Sequence, residues 1–233
     1  MFIGGAWTFG RLAPIAGVLW WLGAMAASAT ASAATCDTPP RPPAVVIEVE
    51  RGTVAYDNIR SRSELTSLSV ATGAPSHPSG LPTIGLTSGD LRVSYETEVA
   101  YRPLGRGSVC VWPTRVEVRI GYPQTTVYVA RKYRPGSCAY AEVLEHEHQH
   151  VAINENTLRE HLGDFRRRLG TVLREKPALE VDHQSRAVTA YTELVRRALS
   201  PAVDRMVEVR DRRHRAIDSP SGYLAIAKRC QDW

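Results

Sequence analysis

Val116, Val118 and Ile120 alternate with Glu117 and Arg119, the two-residue period of a strand with one buried and one wet face. Runs rich in Val and Ile at Ala44 to Glu50 and Thr53 to Tyr56, with a Gly turn at Gly52 between them, predict an opening hairpin. Leu91 to Tyr101 and Val109 to Ile120 carry further strand character, and Gly121-Tyr122-Pro123-Gln124 reads as a turn into a returning strand, Thr125 to Ala130. The stretch from Gly73 to Gly89 is dense in Pro, Gly, Ser and Thr, which predicts an irregular loop. The amino half is therefore expected to be a small, mostly antiparallel sheet.

The pattern changes after Pro135-Gly136-Ser137. Ser137 suits an N-cap, and no strong breaker follows until Pro177, although Gly163 and Gly170 are expected to loosen the helix. Val143, Leu144, Val151, Leu158, Phe165 and Leu169 define its apolar face. A second helical stretch is expected from about Ala178 to Arg215, bent at Pro201. A tail with Ser219-Pro220-Ser221-Gly222 leads to a last amphipathic turn. The fold class is thus α+β, a sheet followed by a long helix and a helical hairpin. The β-rich lobe covers 44–134 and the helical lobe 137–233 of a single domain, 44–233.

The first residues have a different character. Leu12 to Ala27 carry no charge, Arg11 precedes them and small residues follow through Ala34. This is the plan of an export signal (1–34) with Ala31-Ser32-Ala33 as cleavage site, followed by a proline-rich lead, 35–43. Periplasmic or secreted localisation follows, with no stable membrane span after the signal is removed. The four cysteines, Cys36, Cys110, Cys138 and Cys230, all lie beyond the cleavage point and are expected to form two disulfides in an oxidising compartment. The favoured pairs are Cys110 with Cys138, and Cys36 with Cys230.

With 43% hydrophobic and 23% charged residues, the chain has the proportions of a folded soluble protein. The formal charge of +5 raises the question of nucleic acid. However, the clustered arginines at 166–168, 196–197 and 210–215 are interleaved with acidic residues and lack aromatic stacking partners, which argues against that partner.

His146 to His150 reads His-Glu-His-Gln-His, a match to His-Glu-x-x-His. Residues four apart share a helix face, so His146 and His150 can direct two imidazole nitrogens to one tetrahedral Zn2+. Glu147 lies about 100° round the helix, beside the ligands, where it can serve as general base. It also falls within the apolar arc, where a carboxylate is costly unless it has a task or a partner. His148 falls on the wet side.

A catalytic zinc takes three protein ligands and leaves a fourth position open. Glu155 points away from His146, and His161 lies about 22 Å further along the helix. The remaining candidates are His214, the first choice, then Asp218, with His183 and Glu193 behind them. Tyr223, Tyr191 and Tyr133 are candidate oxyanion donors, and the strands could offer an edge to an extended peptide substrate.

The Val-Ala-Tyr-Asp strand ending at Asp57, Ser63 to Leu65, the Val-Glu-Val-Arg-Ile strand and Leu144 to Val151 give the chain a resemblance to the predicted secreted zinc-dependent proteases of bacteria, a family of unknown function. The resemblance covers roughly 44–173 and implies a small zincin, with a sheet packed on an active-site helix. Near the end, the family pattern of Tyr-Asp followed by Thr-x-His-Gly gives way to Ile217-Asp218 and Ser221-Gly222-Tyr223, which puts Tyr223 where the family has a histidine, so the resemblance does not assign the third ligand. The functional expectation is a zinc metallopeptidase acting on peptide or protein substrates. A non-catalytic zinc-binding module and a metal-handling protein using His146, His148 and His150 are the rivals.

Overall fold

The computed structural model describes residues 36, 39, 41–72, 82–231 and 233. The expected export signal and its cleavage site lie outside the described residues, as do residues 73–81 of the expected 73–89 loop.

The central element is β4 (Ser108–Val129), a strand of 22 residues. On one side it pairs in parallel with β1 (Ala44–Asp57). On the other it pairs antiparallel with β3 (Arg92–Gly105) and then β2 (Gly85–Gly89). A short strand, β5 (Leu179–Val181), completes a five-stranded mixed sheet. Helix α1 (Arg62–Ala71) follows β1. The carboxyl half holds α2 (Cys138–Glu175), α3 (Ala187–Ile217) and α4 (Pro220–Ala227).

Three expectations about the sheet are corrected. The opening hairpin is one continuous strand: Gly52 is the point where β1 passes the Pro123 carbonyl so closely that a Cβ would overlap it. The turn at 121–124 is likewise strand. Pro123, which cannot donate to a ladder, falls between the start of β3 opposite Gly121 and the end of β2 opposite Thr125, so its missing N–H leaves no ladder bond unmade on that side. Three of the four pairings among the described residues are antiparallel, as expected, and β1, running alongside β4 in the same direction, makes the sheet mixed. Within the expected loop, residues 85–89 form β2.

The helical expectations fare better. Ser137 caps α2, its hydroxyl accepting from the Tyr140 N–H at 3.1 Å, and the helix runs unbroken through Gly163 and Gly170 to Glu175. The second stretch begins later than expected, since β5 and a 3-10 turn at Gln184–Arg186 precede α3. Pro201 lies inside α3. The two long helices are antiparallel: Arg205 bonds Asp164, Arg213 bonds Glu160, and His214 bonds Asn154. Together they cover the sheet with Phe165, Leu169, Val195, Leu199 and Met206 against Val116, Val118 and Ile120. Each such side chain contributes about 1.5–3 kcal/mol on burial.

Asp164 fastens this hairpin, accepting from Arg168 and Arg205 at 3.1 Å each. Burial alone would raise its carboxyl, but the guanidinium groups outweigh burial and hold it below the ordinary value. Its contribution is therefore present above an unfolded pKa of about 3.9 and is lost as pH falls through the lower folded value. Thermal melts should show wild type ahead of Asp164→Asn at pH 6, with the lead shrinking below pH 3.

The expected disulfide pairs are also corrected: Cys36 joins Cys110, and Cys138 joins Cys230. Parallel pairing sets Ala44 opposite Arg115, so the lead before β1 runs back beside the start of β4, where Cys110 sits. The antiparallel helices return the chain's end to the start of α2, where Cys138 sits. Two disulfides fit an oxidising compartment. No helix of the described residues is long and apolar enough to cross a membrane.

Candidate metal centre

Helix α2 contributes to two apolar clusters. Ala139 and Val143 pack with Leu65, Val129, Ala130 and Tyr133, while Leu158, Phe165 and Leu169 belong to the larger core under α3. Between Val143 and Leu158 the inward face turns polar, with His146, Glu147 and Asn154 buried and His150 partly buried. The local sequence is thus a helix whose apolar stripe is interrupted for about three turns.

His146 and His150 converge. Their rings are perpendicular, with centroids 4.9 Å apart, and their Nε2 atoms are 3.3 Å apart. The Asp218 Oδ1 lies 3.1 Å from each of these nitrogens. Two donors at about 2.0–2.1 Å from a tetrahedral zinc stand roughly 3.3 Å apart, so the three atoms form a triangle of the size that such an ion spans. His146, Glu147 and His150 also bring ligand atoms within 4.8 Å of one another, and the group could hold a metal ion.

Asp218 reaches the triangle because it is the C-cap of α3, outside the helix proper. The chain turns at once: Ser219 caps α4, and Pro220 starts it. Gly222 is required at this turn, since a Cβ there would overlap the Ile217 carbonyl. The turn carries Tyr223 inward, where its hydroxyl donates to the Asp218 Oδ1 at 3.2 Å. Burial alone would raise the Asp218 carboxyl, but its bonds to the two histidines hold it well below the aspartate range. Burial lowers the His150 imidazole, while Asp218 and Glu147 more than offset this and leave it raised. Burial, and then Asp218, push the Tyr223 hydroxyl up.

His214, the first choice for third ligand, is one turn back on α3. Its Nδ1 lies 2.7 Å from the Nδ1 of His150, on the side of that ring away from the triangle, and its Nε2 lies 3.0 Å from the Asn154 Oδ1. Burial, followed by His150 and Arg210, pushes its pKa down to about 4. The geometry therefore brings His214 to the site behind His150 and puts Asp218 at the point where a third ligand would sit.

Glu147 faces the sheet. The Thr87 hydroxyl is 2.9 Å from its Oε2 and 3.0 Å from its carbonyl, donating to one or the other. A Cβ on Gly85 would come 2.5 Å from its Oε1, so β2 leaves the carboxylate room only because residue 85 is glycine. Burial raises the Glu147 carboxyl, with the histidines acting in the opposite direction. Thr87, Gly85 and Asn154 went unmarked in the sequence. Thr87 and Gly85 lie in a stretch that reads as loop, while Asn154 extends the His146, His150 row by one more turn.

The other candidates have partners elsewhere. His148 meets the Tyr56 hydroxyl at 3.1 Å, and His161 donates to the Thr157 carbonyl. His183 lies beside Ser185, and Glu193 is paired with Arg196 and Arg197. Glu155 is exposed. Tyr191 donates to the Lys176 carbonyl, and Tyr133 packs edge-on against Trp233. No family model, curated protein or solved structure matches the chain.

Proposed function

We propose that the protein is an exported zinc metallopeptidase of the kind its resemblance implies, with His146, His150 and Asp218 as ligands and Glu147 as general base. The observation that carries this reading is the triangle of Nε2, Nε2 and Oδ1 atoms, with edges of 3.3, 3.1 and 3.1 Å. Two imidazoles and one carboxylate are a donor set suited to zinc.

A bound zinc would supply a Lewis acid that brings water into its nucleophilic form near neutral pH and polarises a carbonyl. The chain's own residues do the rest. Glu147, buried and oriented by Thr87, accepts the proton from the attacking water and passes it to the leaving amine. Tyr223 stands at the rim of the triangle, and its O–H, which donates to Asp218 in the structure, would have to turn to a developing oxyanion to stabilise it. The metal-handling rival needs His148 in the cluster, and its pairing with Tyr56 speaks against that role.

The test is metal analysis of the purified mature protein, followed by digestion of casein and a peptide library with and without chelator. One zinc per chain and chelator-sensitive cleavage are expected. A protein that holds zinc tightly and cleaves nothing would favour the non-catalytic module.

A further inference from the structure

We propose that His214 and Asn154 form a positioning pair that sets the tautomer and ring orientation of His150 from behind, an inference that rests on the zinc reading above. An amide oxygen can only accept, so the 3.0 Å contact between the Asn154 Oδ1 and the His214 Nε2 puts the proton of His214 on Nε2. The Nδ1 of a neutral His214 is then a lone pair. It faces the Nδ1 of His150 at 2.7 Å, a distance at which one nitrogen must donate, so His150 carries its proton on Nδ1. The Nε2 of His150 is the nitrogen turned to the Asp218 Oδ1 and the Nε2 of His146, 3.1 and 3.3 Å away; it donates to Asp218 when protonated, and with zinc bound it would give its lone pair to the ion instead.

The chain of contacts thus runs from an amide through one imidazole to a second, and it ends in the Nε2 directed at the ligand triangle. Ligand histidines are ordinarily held by a carboxylate, a backbone carbonyl or water. Here a neutral ring does that work, fixing orientation without adding negative charge. Both partners stand on the long helices: Asn154 is one turn beyond His150 on α2, and His214 is one turn before Asp218 on α3. The pair therefore couples the angle between the helices to the position of His150, while Asp218, on the same end of α3, is set by the same packing.

The experiment measures zinc affinity by competition with a chromophoric chelator, together with the visible spectrum of the cobalt-substituted protein, in wild type, His214→Phe, His214→Asn and Asn154→Leu. His214→Phe keeps the ring volume without an acceptor and should lose about 10–100-fold in affinity, as removal of an outer-shell partner does, with an altered cobalt spectrum. His214→Asn returns an acceptor near the Nδ1 position and should recover most of the loss, and Asn154→Leu should show a smaller loss in the same direction. In zinc-loaded wild type, long-range proton–nitrogen spectra of the histidine rings should show His214 protonated at Nε2 and His150 at Nδ1, a readout that depends on no substitution. Unchanged affinity and spectrum in His214→Phe, or His214 protonated at Nδ1, would overturn the pair and leave the zinc reading standing. Loss of zinc from His214→Phe as complete as from Asp218→Ala would make His214 a ligand and overturn it too. A wild type that binds no zinc would instead remove the reading on which the pair rests.

Discussion

Glu147→Gln is expected to lower peptide hydrolysis by about 10²–10⁴-fold, the usual contribution of a positioned general base, while zinc content stays at the wild-type level. The substitution preserves shape: a glutamine oxygen can still accept from Thr87, and the side chain still fits beside Gly85. What it removes is the ability to take a proton. The measurement is turnover beside metal stoichiometry on the same preparation. Because His146, Glu147 and His150 all bring ligand atoms within 4.8 Å of one another, the outcome also decides what Glu147 is. Retained zinc with lost turnover fits a base, whereas lost zinc would make it a ligand. Unchanged turnover with full zinc would remove Glu147 from the chemistry.

Asp218→Ala is expected to have the largest effect on metal affinity, well beyond the about 10–100-fold typical of an outer-shell partner. It deletes the only carboxylate in the triangle and leaves two neutral imidazoles to hold a doubly charged ion. It also takes away the acceptor of the Tyr223 hydroxyl. Helix α3 should survive, because the backbone N–H of residue 218 still bonds the His214 carbonyl. Chelator competition and circular dichroism together read both statements. Near-wild-type affinity in a folded Asp218→Ala would exclude Asp218 as a ligand.

The two histidines of α2 were legible because their spacing alone puts them on one helix face, and the N-cap at Ser137 marks where that helix begins. The proposed third ligand was not legible to the same degree. His214 and Asp218 are four apart, so helical periodicity gives them the same face and cannot rank them. The difference comes from the end of α3: Asp218 has left the helix and can turn towards the imidazoles, while His214 remains in it and meets the back of His150. Gly52 and Pro123 misled for a shared reason. Each is a common turn residue, yet here they face one another across β1 and β4, where only a glycine passes the proline's carbonyl. Helix α1 had a readable signal in the reciprocal cap of Ser61 and Glu64, but its ten residues bury only Leu65 and Ser69 and so show little of the apolar period. The disulfides could not be paired from spacing, since the choice depends on β1 running parallel to β4.

The staple between Cys138 and Cys230, 92 residues apart in sequence, spans the whole interval from the first turn of α2 to the far side of α4. On the proposed reading, synthesis from the amino end delivers both imidazoles well before the aspartate, which follows His146 by 72 residues. A nascent or truncated chain ending before Asp218 holds an incomplete coordination set. Competence is then acquired late in maturation, when the carboxyl-terminal segment has folded back and been oxidised into place.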